Sequence, residues 1–165
     1  MPATYTPLAT QTLGANAASV TFSSISQSYT DLVLVQNSGQ VTADTFSAVR
    51  VGASNTIDTG SNYSDTALKG DGTTAGSYQN ANATRILNGN SNSSTISDTI
   101  VLQFLNYSNT TTYKTVLGRA NIPGFSVVAS VSLWRNTAAI NTIQLFGGSN
   151  LLSGSSFTLY GIAAA

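Results

Sequence analysis

The chain has 165 residues, of which only 7% are charged, and its six Lys and Arg balance six Asp to a net charge of zero. Proteins that bind nucleic acids or anionic membrane surfaces need clustered basic side chains, and this chain has no basic patch. The composition therefore argues against both kinds of partner. It also contains no His and no Cys, which excludes Ser-His-Asp and Cys-His catalysis, His/Cys zinc sites and disulfides.

The first fifty residues contain short alternating or apolar runs and no helical period. Residues 4–13 predict an extended segment, in which Pro7 keeps the chain at a sheet edge or bend. Residues 19–22 predict a second short strand and residues 46–51 another. The apolar run 31–35 is short enough to be a central strand.

Residues 52–82 are rich in Gly and Asp and poor in large aliphatic side chains. We expect a loop here, anchored by Tyr63 and Tyr78. Loops longer than about 12–15 residues are usually functional or ordered by a partner. A brief strand at 85–87 and a turn at Asn88 and Gly89 follow.

The second half of the chain alternates regularly between apolar strands and turns. The predicted strands are 96–106, 113–119, 125–134, 140–146 and 155–162, with a turn at 147–150. Turn signals at this rhythm are typical of an antiparallel sandwich or barrel.

The predicted fold is built around the last of these segments, residues 155–162. Phe157, Leu159 and Gly161 fall on one side of an extended chain, so one face of this strand must be covered. We expect it to pair with residues 31–35, which brings the C-terminus back to a sheet begun near the N-terminus. The sequence therefore predicts one all-β domain over residues 1–165, an antiparallel, jelly-roll-like β-sandwich with an extended N-terminal segment at about 1–14.

Three carboxylates are clustered in sequence, at Asp58, Asp65 and Asp71. Two Asp can serve as a glycosidase pair, and three can contribute to a calcium site. No Asp-x-Asp-x-Asp-Gly loop is present, however, and Asp71-Gly72 reads as a turn. We favour turn and loop residues over either site, and predict no catalytic residue, metal or cofactor.

Five aromatic side chains are candidates for an interface or for stacking on sugar rings: Trp134, Tyr63, Tyr78, Tyr107 and Tyr113. A Trp or Tyr ring offers a large apolar face with a polar handle. For Trp134 we favour a core or subunit-interface anchor over a glycan contact.

Several segments resemble small β-rich virion proteins of tailed bacteriophages, many of them from aquatic and cyanobacterial hosts. The likeness covers nearly the whole chain and is carried by residues 5–13, 20–22, 29–34, 59–64 and 154–162. The matching motifs are structural and contain little chemistry.

The resemblance implies a non-enzymatic capsid decoration (cement) protein on the particle surface, made in the bacterial host cytoplasm. Its expected partners are the major capsid protein and itself, as a homotrimer about a local threefold axis. Strand edges and residues 1–10 would lie across subunit seams. The sequence shows no trunk, coiled coil or baseplate anchor, which favours a stand-alone subunit.

A receptor-binding module at a tail tip or fibre is the alternative. It would hold host polysaccharide through the five aromatic residues and the Asn- and Ser-rich loops. Copy number separates the two, since decoration needs hundreds of copies per particle and a tail about a dozen.

Overall fold

The computed structural model describes residues 4–37, 41–87 and 93–163, so the turn predicted at Asn88 and Gly89 lies outside the described residues. The strands are β1 (Tyr5–Thr12), β2 (Ala17–Phe22), β3 (Asp31–Asn37), β4 (Ser47–Ala53), β5 (Thr56–Ile57), β6 (Tyr63–Gly70), β7 (Ala75–Ala83), β8 (Ile86–Leu87), β9 (Thr99–Leu105), β10 (Lys114–Ile122), β11 (Ser126–Trp134), β12 (Thr142–Leu151) and β13 (Ser156–Ile162). The described residues contain no helix that is long and apolar enough to cross a membrane.

These strands form two antiparallel sheets that pack face to face. The large sheet has eight strands in the order β1-β13-β3-β9-β10-β11-β6-β7, and the small sheet has the order β2-β12-β4-β5, with β8 also paired to β4. Side chains of both sheets meet in one hydrophobic core. The predicted jelly-roll-like β-sandwich is therefore confirmed.

The closing strand β13 lies where the sequence predicts. It pairs with β3, placing Leu159 opposite Leu34, and on its other side with β1. Phe157, Leu159 and Gly161 all point into the buried side. Gly161 is required there, because a Cβ at this position would lie 2.5 Å from the ring of Tyr29.

The first strand β1 is an edge strand of the large sheet, which confirms the position predicted from Pro7. Its register with β13 shifts between Pro7 and Ala9. Because proline cannot donate a backbone hydrogen bond, it is tolerated in a strand at a sheet edge or where the register is irregular.

The prediction of a long loop at residues 52–82 is wrong. Most of this segment forms β5, β6 and β7, with β6 paired to β11 along its whole length. The sequence signal is weak because the buried side of β6 carries Tyr63, Asp65 and Ala67 instead of aliphatic residues. Long-range pairing with β11 decides the conformation, in keeping with the strong context dependence of strand formation.

The turn predicted at residues 147–150 is also wrong, because β12 continues through them to Leu151. The register with β2 is irregular between Phe146 and Leu151. Glycine in a strand often marks a bulge or a close approach. Both apply here, since a Cβ at Gly148 would lie 2.3 Å from the Thr45 hydroxyl.

Candidate functional site

Trp134 and Tyr63 lie side by side at the end of β11 and β6, and both are buried. The Trp134 Nε1–H donates to Asp58 Oδ2 at 2.8 Å. The Tyr63 hydroxyl lies 2.7 Å from the Asp58 carbonyl and 3.0 Å from the Val51 carbonyl, and accepts from the Val51 N–H. With 1% and 0% exposure, neither ring has a face to offer a sugar, so these are core anchors.

Asp58 is a structural acceptor in this cluster. Besides Trp134 it accepts from the Gly60 N–H at 2.8 Å and the Asn62 side chain at 2.9 Å. Burial alone would raise its pKa, but the three hydrogen bonds to the ionised form outweigh burial and hold the pKa below the ordinary value. The sequence favours a loop residue here, and two of the three partners, Gly60 and Asn62, lie in the loop that contains Asp58, while Trp134 lies on β11.

The remaining three predicted tyrosines are separated. Tyr107 is fully buried and donates to the Ser26 carbonyl, so its predicted contact role does not fit this structure. Tyr78 is half-buried on β7, and Tyr113 is exposed in the segment before β10. The structure thus brings Trp134 and Tyr63 together but assembles no aromatic sugar platform from the five candidates.

Asp65 and Tyr78 lie on neighbouring strands near the edge formed by β6 and β7, Asp65 buried and Tyr78 half-buried. The Asn80 side chain donates to Asp65 Oδ2 at 2.8 Å. Burial raises the pKa of Asp65, and this hydrogen bond and the Arg85 charge offset only part of the effect. Burial and the neighbouring Asp65 charge likewise raise the pKa of Tyr78 to about 12.

Asp71 has yet another set of partners, the backbone N–H groups of Thr73 and Thr74 at 2.9 and 2.6 Å. These bonds lower its pKa to about 2 and confirm the predicted turn at Asp71-Gly72. The three clustered Asp are therefore held by separate local partners. Within the described ranges, no group of three or more acidic side chains is placed to hold a metal ion.

The most distinctive surface of the molecule is the side of the large sheet that faces away from the small sheet, here called the outer face. Five of its aliphatic side chains are exposed: Leu68 (66%), Val127 (62%), Val131 (45%), Leu117 (43%) and Val101 (37%). They come from the neighbouring strands β9, β10, β11 and β6. Such a contiguous apolar patch is typical of an interaction site.

The strand register makes the outer face continuous. Leu117 lies opposite Val131 on β11, and Arg119 lies between Val101 on β9 and Ala129 on β11. Two adjoining grooves, of about 550 and 500 Å³, share Val101, Arg119 and Ala129 in their walls. Among the described residues, the Arg119 side chain has no hydrogen-bond, ion-pair or ring partner.

Sequence reasoning missed the outer face, although a signal was present. In β9 the exposed side carries Val101, Gln103 and Leu105, opposite the fully apolar buried side. A half-buried strand in a two-layer sandwich normally alternates apolar and polar residues. Apolar residues on both sides of β9 and β11 therefore indicate a second apolar surface, on the outer side of the sheet.

Comparison with known proteins gives no family assignment. No protein-family model matches the chain, and no curated protein does. Among solved structures, the chain is similar to CG-16, a homodimeric agglutinin from chicken liver, at 12% identity and a TM-score of 0.35, covering 84% of this chain and 98% of that one.

Two other solved structures show likeness of the same order. One is a single mutant of congerin II, at 13% identity and a TM-score of 0.36, with 84% of this chain and 98% of that chain covered. The other is a PL-14 alginate lyase from Aplysia kurodai, at 10% identity and a TM-score of 0.35, with 84% and 70% covered. Neither likeness bears on function, and the β-sandwich assignment rests on the strand pairing of the chain itself.

Proposed function

We propose that this chain is a non-enzymatic structural protein of a bacteriophage particle, a capsid decoration protein that docks on the major capsid protein through its outer face. The observation that carries the proposal is the exposed aliphatic patch formed by Leu68, Val101, Leu117, Val127 and Val131. Its connection to a virion comes from the sequence resemblance.

The chemistry of the outer face favours a protein partner over a polysaccharide. Sugar rings are bound by aromatic faces and by many polar groups, whereas the patch is aliphatic. Of the aromatic candidates for stacking, Trp134, Tyr63 and Tyr107 are buried in the core. Host polysaccharide recognition at a tail tip is therefore the weaker proposal.

Docking of this kind stabilises a shell by surface burial alone. A stable protein–protein interface buries about 1,200–2,000 Å² in total, and apolar area contributes roughly 25 cal/mol per Å² before the costs of association. The outer face spans four adjacent strands and carries a cation, Arg119, between Val101 and Ala129. A capsid surface that brings apolar side chains and a carboxylate would complement it.

The direct test is binding to capsids of the source phage that lack this protein. We expect Leu117→Asp to abolish binding, because a charge would be buried in an apolar contact. Thr21→Asp on the exposed side of β2 is the matched control and should bind like the parent chain. Equal binding by both variants, or a copy number of about a dozen per particle, would refute decoration through the outer face.

A further inference from the structure

The strand β7 ends the large sheet and leaves one edge of it open. Residues 75–80 pair in continuous register with β6, from Ala75 opposite Gly70 to Asn80 opposite Asp65. Within the described part of the chain, no strand pairs with the other side of β7. Six residues at about 3.4 Å each give an open edge of roughly 20 Å.

Along residues 75–80 this edge has no Pro, no charged side chain and no bulge, features by which sheets prevent edge-to-edge pairing. Native edges are blunted by Pro, charged side chains, bulges or covering loops. The opposite edge strand, β1, has Pro7 and a register shift next to it. The register shift of β7 lies outside this stretch, between Asn80 and Ala83. Residues 75–80 contain no Pro and no charged side chain, and all of them except the half-buried Tyr78 are exposed.

We propose that β7 pairs antiparallel with β7 of a second copy of this chain across a two-fold axis. The two eight-stranded sheets then become one continuous sheet. This inference goes beyond the proposed function and does not depend on it.

The composition of residues 75–80 is suited to pairing with a second copy of this chain at the open edge. An isologous contact places the same strand on both sides, so any charge in it would be repeated with the same sign on the facing strand. Residues 75–80 have no charge to repel, and the chain as a whole has a net charge of zero. Small residues at Ala75, Gly76 and Ser77 also leave room for close approach.

The pairing would place the outer faces of two copies side by side. Leu68 lies opposite Ser77, one strand in from the open edge. With strands about 4.8 Å apart, the two Leu68 side chains would be separated by roughly 14 Å, with two β7 strands between them. A dimer would therefore present one wide apolar surface.

The test uses the purified full chain and two substitutions, with molar mass measured by light scattering across a concentration series. We expect a dimer whose dissociation constant rises about tenfold or more in Gln79→Lys, because like charges on paired strands repel. Gln11→Lys on the exposed side of β1 is the matched control and should leave the dimer unchanged.

Hydrogen exchange on the unsubstituted chain provides a second readout that does not depend on any variant. In the dimer, amides of residues 75–80 that point away from β6 should exchange at least tenfold more slowly at a protein concentration above the dimer dissociation constant than at one below it. A monomer overturns the proposal, as does an oligomer that Gln79→Lys leaves intact. Equal exchange of the amides that point away from β6 at the two concentrations would overturn it too.

Discussion

The two faces of the large sheet carry similar aliphatic side chains in different surroundings. On the inner face Leu102, Phe104 and Val116 are at most 1% exposed, because the small sheet packs over them. On the outer face Leu117 and Val131 occupy the alternate positions of β10 and β11 and remain open to solvent. The difference shows that one set of apolar residues builds the core, while the other set stays exposed on the isolated chain.

Substitution of an inner-face residue should give the largest effect. Phe104→Ala removes a fully buried ring from the centre of the large sheet and should lower the free energy of unfolding by about 3–5 kcal/mol. Leu117→Ala, its outer-face counterpart, should cost about 1 kcal/mol or less in the isolated chain. Urea unfolding measures both, and equal losses would mean that the outer face is already packed.

A smaller effect is expected where the sheet contacts the loop that precedes β3. Gly161→Ala would place a Cβ 2.5 Å from the ring of Tyr29, so the ring must move, at a cost of about 1–3 kcal/mol. Gly76→Ala on the open edge meets no atom within 4 Å and should change stability by about 0.5 kcal/mol or less. The midpoints of thermal unfolding of the two variants compare a glycine packed against a ring with a glycine that has no close neighbour.

The smallest effect is a pH dependence that separates a buried carboxylate from an exposed one. Burial raises the pKa of Asp65 in the folded chain above the ordinary 3.8. As pH rises, the unfolded chain therefore loses this proton first, and the free energy of unfolding falls between pH 3.8 and the raised pKa. Asp65→Asn should remove this fall. Asp71 has the opposite sign, since its pKa of about 2 means that its stabilising contribution is lost as pH falls below 3.8.

Unfolding free energies of the Asp65→Asn and Asp71→Asn variants, each compared with the parent chain at pH 3 and pH 7, check both signs. Asp65→Asn should compare more favourably with the parent at pH 7 than at pH 3, and Asp71→Asn less favourably. The same trend in both variants would contradict the assignment of Asp65 to a buried site.

Most of the strands could be predicted because their apolar residues alternate. The closing strand and its pairing with β3 are the best example, since Phe157 and Leu159 demand a covered face. The segment from β5 to β7 could not be predicted in this way. Its buried positions include Asp65 and Ala67, and β6 is held in place by pairing with β11 and β7 instead of by an apolar pattern of its own.

The candidate site could be predicted from the sequence less well than the fold. The exclusion of thiol and histidine chemistry follows from composition alone, but the exposure of an aromatic ring does not. Trp134 and Tyr63 are typical surface-binding residue types, yet both form hydrogen bonds within the core. The resemblance to virion proteins stays a prediction, to be tested by capsid binding.

The sequence by itself determined an antiparallel sandwich without His or Cys, because strand periodicity and residue chemistry are local properties. Only the tertiary structure decided which apolar side chains are covered, which carboxylates are buried and which strand edge is left open. Those outcomes depend on pairings between residues far apart in the chain, such as β6 with β11 and β13 with β3. Local alternation gives each strand two sides, but only the packing of the whole chain assigns one of them to the interior.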